Sequence, residues 1–417
     1  MKANTLSSRS FRQTNAATDT RTLSALMLHR LLVDIQSGTL TLIDQGNHKS
    51  FGNDPGFRCR VQVHSADAYR KIVHGGAVGA AEAYMDGDWS ADNLTDLIRL
   101  LLKNRHVLEK MQFRMSWLAR LRNRVYHFSR RDTVEGSRRN IADHYDLGND
   151  FFRLFLDPTM MYSSGIFRSK ADSMEQASLN KLDIICRKLE LTPDDHLLEI
   201  GTGWGGLAKY AAERYGCRVT TTTISEEQHR HAVEQIAAAG LSHRVTLLKQ
   251  DYRNLTGTYD KLVSVEMIEA VGLENLPVFF KKCASLLKPD GSMLLQSITI
   301  SDQRFESAGN SVDFIQRYIF PGGALPSVTA LVNTATESTD LRSYALEDIT
   351  EHYAETLCRW RESFLNAQSR VQQMGFDNHF IRMWNYYLAY CEGGFLERAI
   401  GCVHIQFHKP DFRRILT

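Results

Sequence analysis

A chain of 417 residues, 43% of them hydrophobic, is long enough for two domains with substantial cores. Its 50 Lys and Arg against 48 Asp and Glu leave a formal charge of +2, which excludes a global attraction to nucleic acid and leaves any such attraction local. Seven cysteines at 59, 186, 217, 283, 358, 391 and 402 form no C-x-x-C pair, which excludes a disulfide framework or zinc knuckle, gives no metal site, and fits a reducing cytoplasmic compartment.

The first twenty residues are polar and read as disordered. No apolar region with a small-residue cleavage site follows them, so secretion is not expected. Nowhere does the chain offer the roughly 20 consecutive apolar residues of a membrane span, so any lipid contact is expected at a surface. Residues 24–102 alternate a helical pattern (SALMLHRLLVDIQ) with strand-like runs (TLTLIDQ, FRCRVQVHS) and a glycine-rich turn, IVHGGAVGAAEAYMDGDW. This predicts a small α+β domain over 21–128. From Lys110 to Arg139 nine Lys or Arg stand against two acids, Asp132 and Glu135, and the domain boundary is placed near the end of this stretch. Within it, KMQFRMSWLARLRNRVYHFSRR sets Phe113, Trp117, Leu121 and Tyr126 among arginines. That composition suits a helix lying on an anionic membrane surface, and equally a linker helix with solvated arginines.

From about residue 175 the pattern alternates strand and helix: HLLEI, GLAKYAAERYG, RVTTTTI, EEQHRHAVEQIAAAG, RVTLLKQ, KLVSVEMI, LPVFFKKCASLLKPDG, SMLLQSITI. Short apolar strands separated by amphipathic helices predict a doubly wound, Rossmann-like α/β domain over 129–417. After the first strand comes G-T-G-W-G-G, with Gly201, Gly203 and Gly206 at the glycine positions of the dinucleotide fingerprint, a weak signal by itself. Glu199, two residues earlier, would repel a pyrophosphate but could receive the ammonium of an amino acid. The end of the next strand holds Thr223-Ile224-Ser225, with Gln228 one helical turn on, where a ribose-binding acid would be expected for NAD. S-adenosylmethionine is therefore favoured over NAD. Asp251 and Tyr252, after the third strand, suit an adenine, although an Asp there could simply cap the next turn.

These residues lie in a run of motifs that resembles the cyclopropane-fatty-acyl-phospholipid synthases and mycolic acid cyclopropane synthases: GAVGAAEAYMDGDW (76–89), HYDLGNDFFRLFLDPTMMYSSGIF (144–167), LLEIGTGWGGLA, TISEEQ, QDYR, SVEMIEAVG (264–272), RYIFPGGALPS (317–327), HYAETLCRW (352–360) and YYLAYCEGGF (386–395). The resemblance runs from about Ala77 to the C-terminus. It implies transfer of the methyl group of S-adenosylmethionine to a cis double bond of a phospholipid acyl chain, with closure to a cyclopropane. It also implies a base in the form of bicarbonate, held by a Cys, a Glu, a His, a Tyr and a backbone amide. In this chain the Glu falls on Glu269, the Tyr on Tyr353 and the amide on Ile298, while Ser164 replaces the Cys and Gln296 the His. Both replacements still donate hydrogen bonds, but they alter the tuning of a base and admit a methyl-branched product. Cys391 matches a cysteine sometimes counted in the site, though its apolar helical setting suits a structural residue better. For the cofactor the resemblance carries over Tyr162 and Ser163 near methionine, Gly201, Thr202 and Gly203 at the loop, Thr223 and Gln228 at the second strand, and Asp251 and Tyr252 at adenine. It further implies peripheral attachment to the inner face of the membrane and a homodimer paired through the N-terminal domain. An oxidoreductase and a noncatalytic lipid-binding protein are the competing readings. The missing ribose acid argues against the first, and retention of Glu269, Tyr353 and the cofactor set against the second.

Overall fold

Parallel strands buried on both faces read as continuous apolar runs, and this chain places its runs where a seven-stranded sheet forms. The computed structural model describes residues 16–113, 147–308 and 312–413. It divides the chain into two units, Met1–Ala119 and Arg120–Thr417. The sequence boundary at 128/129, residues 114–139 of the basic stretch, and residues 1–15 of the expected disordered start lie outside the described residues. Residues 16–20 are helical.

The first unit comprises α1 (Ala16–Leu32), β1 (Thr39–Asp44), β2 (Asn47–Phe51), β3 (Arg58–Val63), α2 (Asp67–Met85), β4 (Trp89–Ala91), α3 (Leu94–Lys103) and α4 (Arg105–Phe113). Its sheet runs β2-β1-β3-β4, with β1 antiparallel to β2 and parallel to β3. Alternation in the strands turns Leu40, Leu42, Cys59, Val61 and Val63 inward. The glycine-rich segment expected as a turn is instead mostly helix, because its alanines favour helix over loop. Only Gly76 breaks it, at φ +59°. At Gly79 a side chain would meet the Lys71 carbonyl oxygen at 2.1 Å, so this glycine lets two stretches of backbone pack across the kink.

The second unit contains α5 (Asn149–Phe152), α6 (Met174–Lys188), β5 (His196–Ile200), α7 (Gly206–Tyr210), β6 (Arg218–Thr223), α8 (Glu226–Ala238), β7 (Val245–Lys249), β8 (Tyr259–Val265), α9 (Leu276–Leu286), β9 (Leu287–Ile300), α10 (Val328–Ser338), β10 (Arg342–Asp348), α11 (Thr350–Asn366), α12 (Asn378–Leu396) and β11 (Ile400–His408). The sheet order is β10-β11-β9-β8-β5-β6-β7. Strands β9, β8, β5, β6 and β7 are parallel, and β11 enters antiparallel beside β9. The chain winds outward from β5 in one direction and from β8 in the other, so the β5/β8 boundary is the switch point at which such sheets bind ligands. One face packs on α6 and α7 through Leu182, Ile185, Leu207 and Ala208. The other packs on α9 and α10 through Phe279, Phe280 and Leu331. No helix among the described residues is long and apolar enough to cross a membrane.

A third cluster joins α5 to α11 and α12. The Phe151 ring lies 4.9 Å from Trp384, 5.4 Å from Phe380 and 6.2 Å from Phe364, centroid to centroid, in edge contacts that aromatic quadrupoles favour. Phe151 is 0% exposed. Phe151→Ala should lower the unfolding free energy of the second unit by about 3–5 kcal/mol. Denaturant titration checks this, and a loss within experimental error would mean that the cluster does not stabilise the unit.

Candidate active site at the carboxyl edge of the sheet

The glycine loop leaves β5 with Gly201 at φ +105° and Gly203 at φ +52°, conformations that a β-carbon disfavours. The amides of Gly201 and Thr202 both donate to the Thr222 carbonyl at 3.1 Å, which folds the loop back over β6. A β-carbon on Gly203 would meet nothing within 4 Å, so the loop presents open space there, whereas one on Gly206 would strike the Met161 sulfur at 2.8 Å. Beneath the loop Thr202 and Thr221 hydroxyls lie 2.7 Å apart, and Thr221 donates to Glu199 Oε2 at 2.5 Å. Burial pushes the Glu199 carboxyl up to about 8.

The other expected cofactor residues follow the strand ends. Thr223 donates to Gln228 Oε1 at 2.9 Å, and Ile224 is the first residue beyond β6. Asp251 accepts from the Arg253 amide at 2.9 Å and from its guanidinium at 2.8 and 2.7 Å. It thus takes the capping role that was one of its two readings. The Tyr252 ring lies 5.6 Å from Phe279. Tyr162 and Tyr387 hydroxyls are 2.9 Å apart. Ser163 Oγ accepts from Lys181 Nζ at 2.5 Å. Lys181 is wholly buried, and desolvation pulls its ammonium down to about 8 although the Glu266 charge opposes this.

Three of the expected catalytic residues, Ser164, Gln296 and Tyr353, converge, but on Glu266 rather than on Glu269. Strand β8 ends at Val265, and Glu266 follows it at φ +48°. Its Oε1 accepts from the Ser164 amide at 3.0 Å and from Gln296 Nε2 at 2.7 Å, while Oε2 accepts from the Tyr353 hydroxyl at 2.6 Å. Ser164 contributes its backbone rather than its hydroxyl, which donates to the Gly165 carbonyl. Burial raises the Glu266 carboxyl, and Lys181 and the three hydrogen bonds oppose that rise. Glu269, one short turn further, accepts from the Ile298 amide at 2.6 Å through Oε1, and its buried Oε2 has no partner among the described residues. Burial and then the Glu266 charge push its carboxyl up to about 8. The cysteine brought to Glu266 is Cys402, its sulfur 3.9 Å from Oε1. Cys391 sits on α12 with its thiol raised by burial and by Asp313.

A further chain of contacts orients Gln296. His404 lies directly opposite it in the β9/β11 register, with Nε2 at 2.9 Å from Gln296 Oε1. Lys188 Nζ, which can only donate, lies 2.7 Å from His404 Nδ1. The hydrogen therefore sits on Nε2 and points at the amide oxygen, leaving the amide nitrogen for Glu266. The one sequence signal for Glu266 is its place as the first of two acids in SVEMIEAVG, which does not separate it from Glu269; Lys181, Cys402 and His404 carry no local motif.

A doubly wound sheet with an open glycine loop at its switch point is a cofactor-binding architecture, and threonines in place of a ribose acid suit S-adenosylmethionine better than a dinucleotide. Residues 133–405 match the mycolic acid cyclopropane synthetase family, and the chain belongs to it. The tuberculostearic acid methyltransferase UfaA1 of Mycobacterium tuberculosis is 39% identical over 341 residues, covering 80% of this chain and 79% of that protein. The cyclopropane-fatty-acyl-phospholipid synthase of Escherichia coli K12 is 35% identical over 359 residues, covering 84% and 87%. The solved cyclopropane synthase MmaA2 from Mycobacterium tuberculosis matches with TM-score 0.61 and 28% identity, covering 65% of this chain and 98% of that one. This chain is an S-adenosylmethionine-dependent methyltransferase of the cyclopropane synthase type, acting in lipid methylation or cyclopropanation.

Gly203→Val fills the open side of the loop and forces a β-branched residue to positive φ, so S-adenosylmethionine affinity should fall by about tenfold or more while the fold persists. Calorimetry reads this directly, and unchanged affinity in a folded variant would reduce the loop to a turn.

Glu269 also carries a pH signature. Its carboxyl rises from an ordinary 4.5 to about 8 in the folded protein. Its contribution to stability is therefore fully present below the unfolded value and is lost as pH rises through the folded one. Glu269→Gln, neutral throughout, should gain stability relative to the parent as pH increases across that window. Denaturant midpoints from about pH 5 to about pH 9 test it, and parallel profiles for the two proteins would contradict the shift.

Proposed function

We propose that this enzyme methylates the cis double bond of an unsaturated acyl chain in a membrane phospholipid and closes the adduct to a cyclopropane. S-adenosylmethionine, when bound, supplies an electrophilic methyl group. The alkene π pair forms the new carbon–carbon bond as the sulfur–methyl bond breaks and its pair stays on the departing thioether, leaving a positive charge on the neighbouring carbon. Loss of a proton from the transferred methyl lets its C–H pair close the ring. The observation that carries this reading is the junction of loop and base: a β-carbon on Gly201 would lie 3.2 Å from Met267, which stands between Glu266 and Glu269. The cofactor loop and two carboxylates thus share one edge of the sheet. Tyr353 stacks on Phe395 at 4.4 Å, and Tyr162 lies 5.3 Å from Trp360, giving an aromatic surround suited to an apolar chain and a passing cation.

A methyl-branched product is the second reading. Ser164 and Gln296 favour it as departures from the family's pattern, as does the likeness to a tuberculostearic acid methyltransferase. In that case a hydride shift precedes loss of a proton from the methyl group and leaves a methylene branch on the acyl chain, whose conversion to a methyl branch needs a separate hydride donor. The composition of 110–131 supports peripheral attachment to an anionic, inner membrane surface, and the N-terminal unit is proposed as the accessory domain that pairs protomers and presents both active sites to one bilayer.

Methyl-labelled S-adenosylmethionine supplied with anionic vesicles of unsaturated or fully saturated phospholipid tests the substrate. The expected product appears only with the unsaturated lipid and carries the label less one methyl hydrogen. It resists mild hydrogenation if cyclised and takes up hydrogen if it is a methylene. Label on saturated lipid, or on the head group, would overturn the reading.

A further inference from the structure

We propose that Glu266 is the built-in anion of this active site, holding the hydrogen bonds that the family resemblance assigns to bicarbonate and accepting the proton released as the lipid cation is discharged. The chemistry rests on the methyl-transfer reading above; the placement rests on geometry.

Besides Glu269, four groups were expected to surround the anion. Three of them, the segment at Ser164, Gln296 and Tyr353, donate to Glu266 at 3.0, 2.7 and 2.6 Å. The fourth, the Ile298 amide, donates to Glu269 at 2.6 Å. A bicarbonate ion among them would find these donors engaged and would face the Glu266 carboxylate, a like charge, so the residues present do not fit it. The donor set is also committed to an acceptor, because His404 holds the Gln296 amide with its nitrogen toward Glu266.

The backbone adds a separate argument. Glu266 stands at φ +48°, a conformation in which a non-glycine residue persists only when its surroundings impose it. The Glu266 amide donates to the Gln296 carbonyl at 2.9 Å, so both ends of the residue are tied to the same point of β9. A glycine would occupy this position without strain, and what glutamate adds is the carboxylate. Proton balance is simple: a C–H bond of the transferred methyl breaks, its electron pair forms the ring bond, and the proton passes to a Glu266 oxygen and later to water.

Glu266→Gly removes the carboxylate, relieves the backbone and opens the donors to an external anion. With the parent protein, carbon-13 bicarbonate should show no saturable binding by NMR, and turnover in buffer freed of carbon dioxide should match that with bicarbonate added. Glu266→Gly should bind bicarbonate saturably, lose about 100-fold or more of turnover in carbon-dioxide-free buffer, and recover about tenfold or more on its addition. Glu266→Gln, nearly isosteric, answers the question if the glycine variant does not fold: turnover should fall about 100-fold, without rescue, while S-adenosylmethionine affinity is kept. Saturable bicarbonate binding by the parent, its absence in a folded Glu266→Gly, or parental turnover in either variant overturns the proposal. The binding comparison needs no lipid, so it decides the placement of Glu266 even where the lipid assay rejects the substrate.

Discussion

A carboxylate withdrawn from water requires donors, and Glu266 draws them from three separate parts of the chain: the loop before α6, the middle of β9 and the first turn of α11. The dependence runs both ways. Without the carboxylate, a backbone amide, a side-chain amide and a phenol would be left together without their acceptor, each at the cost of its own desolvation. Lys181 adds a buried positive charge on the same side, held through Ser163, and this opposes the penalty that burial imposes on Glu266. The hydrogen-bonded centre therefore fixes the relative positions of β8, β9, α11 and the loop carrying Tyr162 to Ser164, and the cofactor loop is bordered by Met267 just after β8 and by Met161 just before Tyr162.

Two carboxyl groups three residues apart cannot share such a site as equals. Glu266 has three donors and a nearby ammonium; Glu269 has the Ile298 amide, a 3.1 Å contact with Ser297 and an oxygen with no partner among the described residues. The like charge of Glu266 lifts Glu269 further, to about 8, which keeps Glu269 protonated near neutrality. Environment thus pushes the pair apart, since burial raises both carboxyls but Lys181 and three donors hold Glu266 back while the Glu266 charge lifts Glu269 further, the pattern by which acid and base roles are divided in many active sites. A neutral Glu269 adds no second negative charge beside the carboxylate, so proton acceptance falls to Glu266.

Most of the catalytic fold was legible because the physics behind it is local: short apolar runs become parallel strands, and amphipathic segments become the helices that cover them. The segment 72–89 was not, since its glycines suggested a turn while its alanines and the close packing at Gly79 make a kinked helix. In the site, Tyr353, Gln296 and Ile298 were placed by resemblance and do converge on the two carboxylates. Ser164 shows the limit of reading side chains, because its amide makes the contact and its hydroxyl turns away. Glu266 was hidden by proximity to Glu269, and only a left-handed turn after β8 decides that the first acid and not the second meets Gln296 and Tyr353. His404 becomes visible only once β11 is paired with β9, a register no local pattern encodes.

The replacement of an expected histidine by Gln296 acquires a physical sense in this setting. A histidine facing Glu266 would exchange protons with it, and its donor would depend on tautomer and pH. An amide donates at every pH but can turn end for end, which would present its oxygen to a carboxylate. His404 prevents this by giving its Nε2 hydrogen to that oxygen, and burial together with Lys188 lowers its own basicity so that it stays neutral. The histidine has in effect moved one strand outward, from proton exchange to orientation. The donor that remains against Glu266 is fixed in direction and uncharged, which stabilises the carboxylate without neutralising it as a base.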